Sequence, residues 1–186
     1  MYKRQIYASG GISGLGDEAV TLSSNTSVSN ANSVSSTTSG IVTATISEGD
    51  MATLANITET GNAYTVTITD TSVASDALNT LDGKTTVAVN GAAITTLTGA
   101  ASDVKASYDA GTAGTISGLG NEAVSVSGAS SAASDLNAID TATSGVVTVA
   151  STTITGSAAD VKATYDANTA GTISGLGNEA VSVSGA

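Results

Sequence analysis

The chain has 186 residues, 109 of them Ala, Thr, Ser or Gly, and its 16 acidic and 5 basic side chains give a formal net charge of −11. Phe, Trp, Pro, Cys and His are absent, which excludes imidazole bases, thiolate nucleophiles, disulfides and nitrogen or sulfur ligands for a metal. An acidic surface repels phosphate backbones, so no nucleic-acid partner is expected, and no run reaches the roughly 18 to 20 apolar residues of a membrane span.

Residues 1–10 are expected to be an irregular or non-native leader: Met1–Gln5 (MYKRQ) holds two basic residues and no apolar continuation, unlike a signal peptide. Residues 11–186 read as a single repeat array, and the stop at Ala186 inside a repeated phrase suggests an internal piece of a longer protein. The phrase ISGLGDEAV at Ile12–Val20 returns as ISGLGNEAV at Ile116–Val124 and Ile173–Val181. Thr95–Ala129 aligns with Thr152–Ala186 at a constant offset of 57, with 30 of 35 positions matching and the last 18 identical. Self-similarity of this kind signals a repeat architecture.

A shorter grammar divides the array into half-units at 11–40, 41–62, 63–85, 86–114, 115–145 and 146–171, with 172–186 incomplete. Each carries a Ser/Thr-x-Ser/Thr pair: Thr21/Ser23, Thr43/Thr45, Thr67/Thr69, Thr96/Thr98, Ser125/Ser127, Thr153/Thr155 and Ser182/Ser184. An apolar or small residue lies between the hydroxyls, the alternation of a strand with one buried face. In the first half-unit, 24–40 (SNTSVSNANSVSSTTSG) has only Val28 and Val34 as large apolar residues. It reads as a lateral loop, with a degenerate helix as the alternative.

Behind the other strands comes helical spacing: Asp50-Met51 before Leu54 and Ile57, Asp76 before Leu78 and Leu81, Asp103-Val104 before Tyr108, Asp135-Leu136 before Ile139, and Asp160-Val161 before Tyr165. The aspartates suit the first helical turn. Gly111 and its counterpart Asn168 suit the left-handed position after a helix, as do Gly61 and Gly83. Helices of two or three turns do not stand alone in water. Stacked units bury them, so the expected fold is a mainly β repeat protein, a parallel β-solenoid with a short helix on one side of each coil.

The segments ISGLGNEAVSVSG, AASDLNAID and TTITGSAADVKATYDANTAG resemble the Ala/Ser/Thr-rich repeat arrays of very large secreted or cell-surface proteins of marine cyanobacteria, and fibre-like proteins of their phages. The resemblance is closest over 86–186. It implies an extracellular or cell-surface location and a non-catalytic role as rigid spacer or adhesin-like stalk. Neighbouring repeats, and carbohydrate or cell-surface matrix, are the partners it suggests.

Three chemical readings compete. Gly118-Leu119-Gly120-Asn121-Glu122-Ala123 satisfies GxGxxA, the dinucleotide fingerprint, which needs a helix opening at the second glycine. Here the string runs into Val-Ser-Val-Ser and occurs three times in the chain, so a glycine-permitted corner is expected instead. Calcium binding between coils is an alternative, weakened because Asn121 and Asn178 replace Asp17 in the later copies. A two-rank hydroxyl array is the alternative of ice binding, weakened where serine replaces threonine. Asp109 and Asp166 recur with the repeat beside helix ends, and Lys105 and Lys162 read as solvated. No catalytic, cofactor or metal residue is assigned, no enzymatic activity is expected, and end-to-end self-association of the chain is expected from its open ends.

Overall fold

The computed structural model describes residues 16–184. Among these are thirteen short strands and six helices, with one to three strands between successive helices. The helices are α1 (Val28–Ser35), α2 (Met51–Leu54), α3 (Ser75–Asp82), α4 (Ala101–Ala113), α5 (Ala133–Ala142) and α6 (Ala158–Ala170). Together they hold more residues than the strands, so the chain is mixed α/β rather than mainly β. The reason is the length of α4 and α6, 13 residues each.

Every strand pairing among the described residues is parallel. A parallel pair needs a crossover of a dozen or more residues, and partners here lie between 20 positions apart (Thr43 with Ala63) and 27 apart (Val89 with Ile116). The largest sheet joins β4 (Ser72–Ala74), β6 (Thr96–Gly99), β8 (Ala123–Val126), β10 (Val147–Val149) and β12 (Ile173–Ser174) in that order. Its inward rank is Val73, Leu97, Val124, Val147 and Ile173 in direct register, all buried. Burying each such side chain contributes roughly 1.5–3 kcal/mol, and the rank forms the middle of one continuous core.

Smaller sheets flank it. One joins β1 (Val20–Thr21), β2 (Val42–Thr45) and β3 (Ala63–Thr65), another β5 (Val89–Asn90) and β7 (Ile116–Ser117), and a third β9 (Ser130–Ala132), β11 (Thr153–Gly156) and β13 (Ala180–Val183). In the third sheet the inward rank is Ser131, Ile154 and Val181. Its buried serine is satisfied by Ser151, hydroxyl to hydroxyl at 2.6 Å.

Copies of one phrase do not share a sheet. β6 and β11 are equivalent by the 57-residue repeat, as are β8 and β13, yet β6 and β8 belong to the large sheet and β11 and β13 to the third. The cause is unequal spacing. From the start of α4 to that of α5 is 32 residues and from α5 to α6 is 25, and the longer interval holds the additional strand β9, which opens a new column.

Several local expectations need correction. Residues 24–40 contain α1 rather than a loop: Ser27 caps it by accepting from the Asn30 N–H at 3.2 Å, and Val28, Ala31 and Val34 are buried. Small Ala31 completes the apolar stripe that two valines alone left incomplete. Asp50 is itself the N-cap of α2, accepting from the Thr53 N–H at 2.8 Å; the Thr53 side chain first, and then its N–H, hold the carboxyl below the usual range. Asp76, Asp103, Asp135 and Asp160 sit inside the first turns of their helices, as expected. Gly111 and Asn168 lie within α4 and α6, whose left-handed C-caps are Gly114 (φ +81°) and Gly171 (φ +87°). Gly83 ends α3 in a right-handed conformation, and Gly61 (φ +78°) lies beyond α2 without capping it. The 1–10 leader lies outside the described residues.

Candidate functional site

The ISGLGNEAV phrase carries the strongest functional look-alike in the chain. After β7, Gly118 adopts φ +87°, and a Cβ there would lie 2.7 Å from the Ala92 Cα and N of the preceding segment. The Gly120 N–H donates to the Glu122 carboxylate at 2.8 Å, the Tyr108 hydroxyl donates to Glu122 Oε2 at 3.0 Å, and Thr143 Oγ1 donates to the Glu122 carbonyl at 2.7 Å. Glu122 is 0% exposed. The chain then enters β8, and no helix opens at Gly120. A pyrophosphate would meet a buried carboxylate on the very N–H it requires, and no helix N-terminus. The string forms a glycine corner fastened by a carboxylate.

The corner recurs. Gly16 N–H donates to Glu18 at 2.7 Å, while residues 12–15 of that copy lie outside the described part. In the third copy Gly175 has φ +89°, Gly177 N–H donates to Glu179 Oε2 at 2.8 Å and Tyr165 hydroxyl donates to the same oxygen at 3.1 Å. Thr38 repeats the role of Thr143, donating to the Glu18 carbonyl at 2.7 Å. Burial pushes the Tyr108 hydroxyl well above its ordinary range, and burial followed by the bond to Glu179 raises Tyr165. For Glu179 burial pushes upward but is outweighed by donors led by the Gly177 N–H, so its pKa falls below the ordinary 4.5.

A depressed carboxylate stabilises the fold above its unfolded pKa and loses that contribution as pH falls through the folded value. Glu179→Gln is therefore expected to flatten the loss of stability between about pH 5 and pH 3, read as urea midpoints at the two pH values; equal slopes for both proteins would contradict it.

A second recurring device joins neighbouring helices. Asn79 of α3 donates to the Asp103 carbonyl of α4 at 2.9 Å and accepts from Ser107 Oγ at 2.7 Å. Asn137 of α5 does the same to α6, with the Asp160 carbonyl at 3.0 Å and Thr164 Oγ1 at 2.8 Å. Asn32 of α1 bridges to the Asn56 carbonyl and the Thr58 N–H. Ser107 and Thr164 are both fully buried, which explains why that position changes only between hydroxyl residues. Neither the asparagine clamp nor the tyrosine–glutamate bond was assigned from sequence. The tyrosine–glutamate bond leaves a signal, since Tyr108/Glu122 and Tyr165/Glu179 are each 14 residues apart.

The hydroxyl array is registered differently from expectation. Thr21 stands opposite Thr43, as motif-to-motif pairing requires, but Thr96/Thr98 pair with Ala123/Ser125 and Thr153/Thr155 with Ala180/Ser182, so those later hydroxyl pairs are out of step by two residues. Thr96, Thr98, Thr153 and Thr155 are also half-buried under the helices that follow them. The longest outward rank is Ala74, Thr98, Ser125, Thr148 and Ser174, with Thr148 and Ser174 hydroxyls 3.2 Å apart.

The acids are dispersed. Among the described residues no group of three or more Asp or Glu side chains could hold a metal ion. Asp109 and Asp166 pair with Lys105 and Lys162 at 2.6 Å along the helix surface, where solvent screening leaves such contacts little weight. Among the described residues no helix is long and apolar enough to cross a membrane. Compared with protein-family models, curated proteins and solved structures, the chain has no significant match.

Proposed function

We propose that the chain is a non-catalytic structural segment, a parallel β-solenoid with a helix on each coil, acting as a rigid spacer or adhesin-like stalk of a large extracellular or cell-surface protein. The observation that carries this reading is the uniform pairing of each strand with one 20 to 27 residues away, always in parallel. A ladder built that way lengthens by one strand spacing per coil and stiffens through its continuous core. The Asn79 and Asn137 clamps and the Glu122 corner tie successive coils on the helix side and at the strand corner. The acidic, hydroxyl-rich exterior keeps such a rod hydrated, and location at a surface follows the resemblance of its phrases.

Tandem extension tests the spacer reading. Each added 57-residue unit should lengthen the particle by about 10 Å, two coils at roughly 4.8 Å each, in small-angle X-ray scattering. A radius of gyration growing as a compact globule would overturn it. A melting temperature raised by millimolar calcium and lowered by chelator would move the reading to the calcium-binding alternative.

A further inference from the structure

Asn90 is the only asparagine in the sequence that precedes a glycine. It ends β5, and its register partner in β7 is Ser117, which precedes Gly118. The 57-residue repeat places Ser174 before Gly175 in the same way. The position before this glycine thus carries a hydroxyl in both later copies and an amide only in the coil of β5. The Asn90 side chain is exposed. Its Oδ1 accepts from the Ala92 N–H at 3.1 Å, a bond that draws electrons from Cγ and lies where negative charge develops when that carbon is attacked. Gly91 has no Cβ to hinder its nitrogen as the attacking group.

We propose that Asn90–Gly91 is a self-modification site, at which the Gly91 nitrogen displaces the Asn90 side-chain amide. The Gly91 nitrogen gives up its proton and bonds to Asn90 Cγ, the Cγ–Nδ2 bond breaks, and Nδ2 leaves as ammonia, closing a five-membered succinimide. Water, the only co-reactant, then opens the ring at either carbonyl and yields aspartate or isoaspartate, with no change of oxidation state. The strand ladder restrains the first step. Gly91 N–H donates to the Ser117 carbonyl at 2.8 Å, while Asn90 N–H donates to the Val66 carbonyl at 3.0 Å and the Asn90 carbonyl accepts from the Ile68 N–H at 2.9 Å. Ring closure swings the Gly91 nitrogen out of this extended path. The reaction therefore passes through local opening of β5, a two-residue strand held by β7 on one side and by a single bridge to Thr67 on the other. Isoaspartate adds a methylene to the main chain and sets a carboxylate where the carbonyl met Ile68, so the old register does not reclose. The site is a one-way record of opening in this coil.

Peptide mapping by mass spectrometry of the full chain, aged in neutral buffer both folded and in concentrated urea, tests this. In urea Asn90 should be the first asparagine to take on the mass of the acid, and both aspartate and isoaspartate should form. The folded chain should convert at the same residue roughly tenfold or more slowly, the factor set by an opening free energy of about 1.4 kcal/mol or more. Its rate should rise in sub-denaturing urea together with hydrogen exchange at the Gly91 amide. Gly91→Ala, compared with the parent chain in urea where folding plays no part, should slow conversion severalfold. Another asparagine converting first, aspartate without isoaspartate as direct hydrolysis gives, equal rates folded and unfolded, or no slowing by Gly91→Ala would each overturn the proposal.

Discussion

Gly118→Ala is expected to destabilise the chain by about 3 kcal/mol or more, whereas Gly114→Ala costs about 1–2 kcal/mol. Both glycines have positive φ, +87° and +81°, so both substitutions carry the strain of a left-handed L-residue. Only Gly118 adds a collision. Its Cβ would meet the Ala92 Cα and N at 2.7 Å and Cβ at 2.9 Å, backbone that moves only if the neighbouring segment shifts, while a Cβ on Gly114 meets nothing within 4 Å. Overpacking of this kind typically costs about 1–3 kcal/mol beyond the backbone strain. Urea midpoints of the two variants, at equal m-values, measure the difference. Equal losses would mean that the segment carrying Ala92 does not lie against the corner.

Glu122→Ala should be the most damaging change at a charged position, about 3 kcal/mol, and Glu179→Ala should cost under about 1 kcal/mol. The flanking residues are identical, and each glutamate accepts from a glycine N–H and a tyrosine hydroxyl. The difference is solvent. Glu122 is fully buried, so its removal leaves the Gly120 N–H unpaired away from water and takes the carboxylate partner from the Tyr108 hydroxyl. At Glu179, only half-buried beside β13, water can replace the carboxylate. Tyr108→Phe should fall between them, at about 1–1.5 kcal/mol. Comparable losses for the two glutamates would show that burial is not what separates the copies.

The parts of the fold that could be read in the sequence are those the repeat writes twice. Leu97 and Ile154 exchange within a buried inward rank, and Ser107 and Thr164 exchange at a buried hydroxyl held by an asparagine. The glycine corner was legible too, because Gly118 and Gly175 run into alternating residues rather than a helix. Strand register was not. Pairing hydroxyl motif with hydroxyl motif would set Leu97 beside Val126, whereas the structure sets it beside Val124. A slip of two residues leaves every side chain on its proper face, so alternation alone does not choose between them. The corner chooses, because Glu122 fastened to Gly120 and Thr143 fixes where β8 begins.

Helix ends were misread for a related reason. Gly111 and Asn168 looked like terminators by residue type, but the helices run on to Gly114 and Gly171, where Thr115 and Thr172 N–H groups bond back to the Ala110 and Ala167 carbonyls. Their hydroxyls reach Asp82 and Asp140 of the neighbouring helix. Those tertiary bonds extend each helix by about a turn. In 24–40 the missing signal was size. Ala31 is as deeply buried as any valine in the chain, yet alanine in a sequence so rich in it marks no face.

The most direct test of the parallel ladder is a nuclear Overhauser spectrum of the labelled chain. The structure places Leu97 beside Val124, Val124 beside Val147 and Val147 beside Ile173, all strands running the same way. Contacts between these residues in the pattern of parallel strands are the predicted result. Antiparallel contacts along the same strands, or the absence of any contact joining residues 20 to 27 apart, would contradict it.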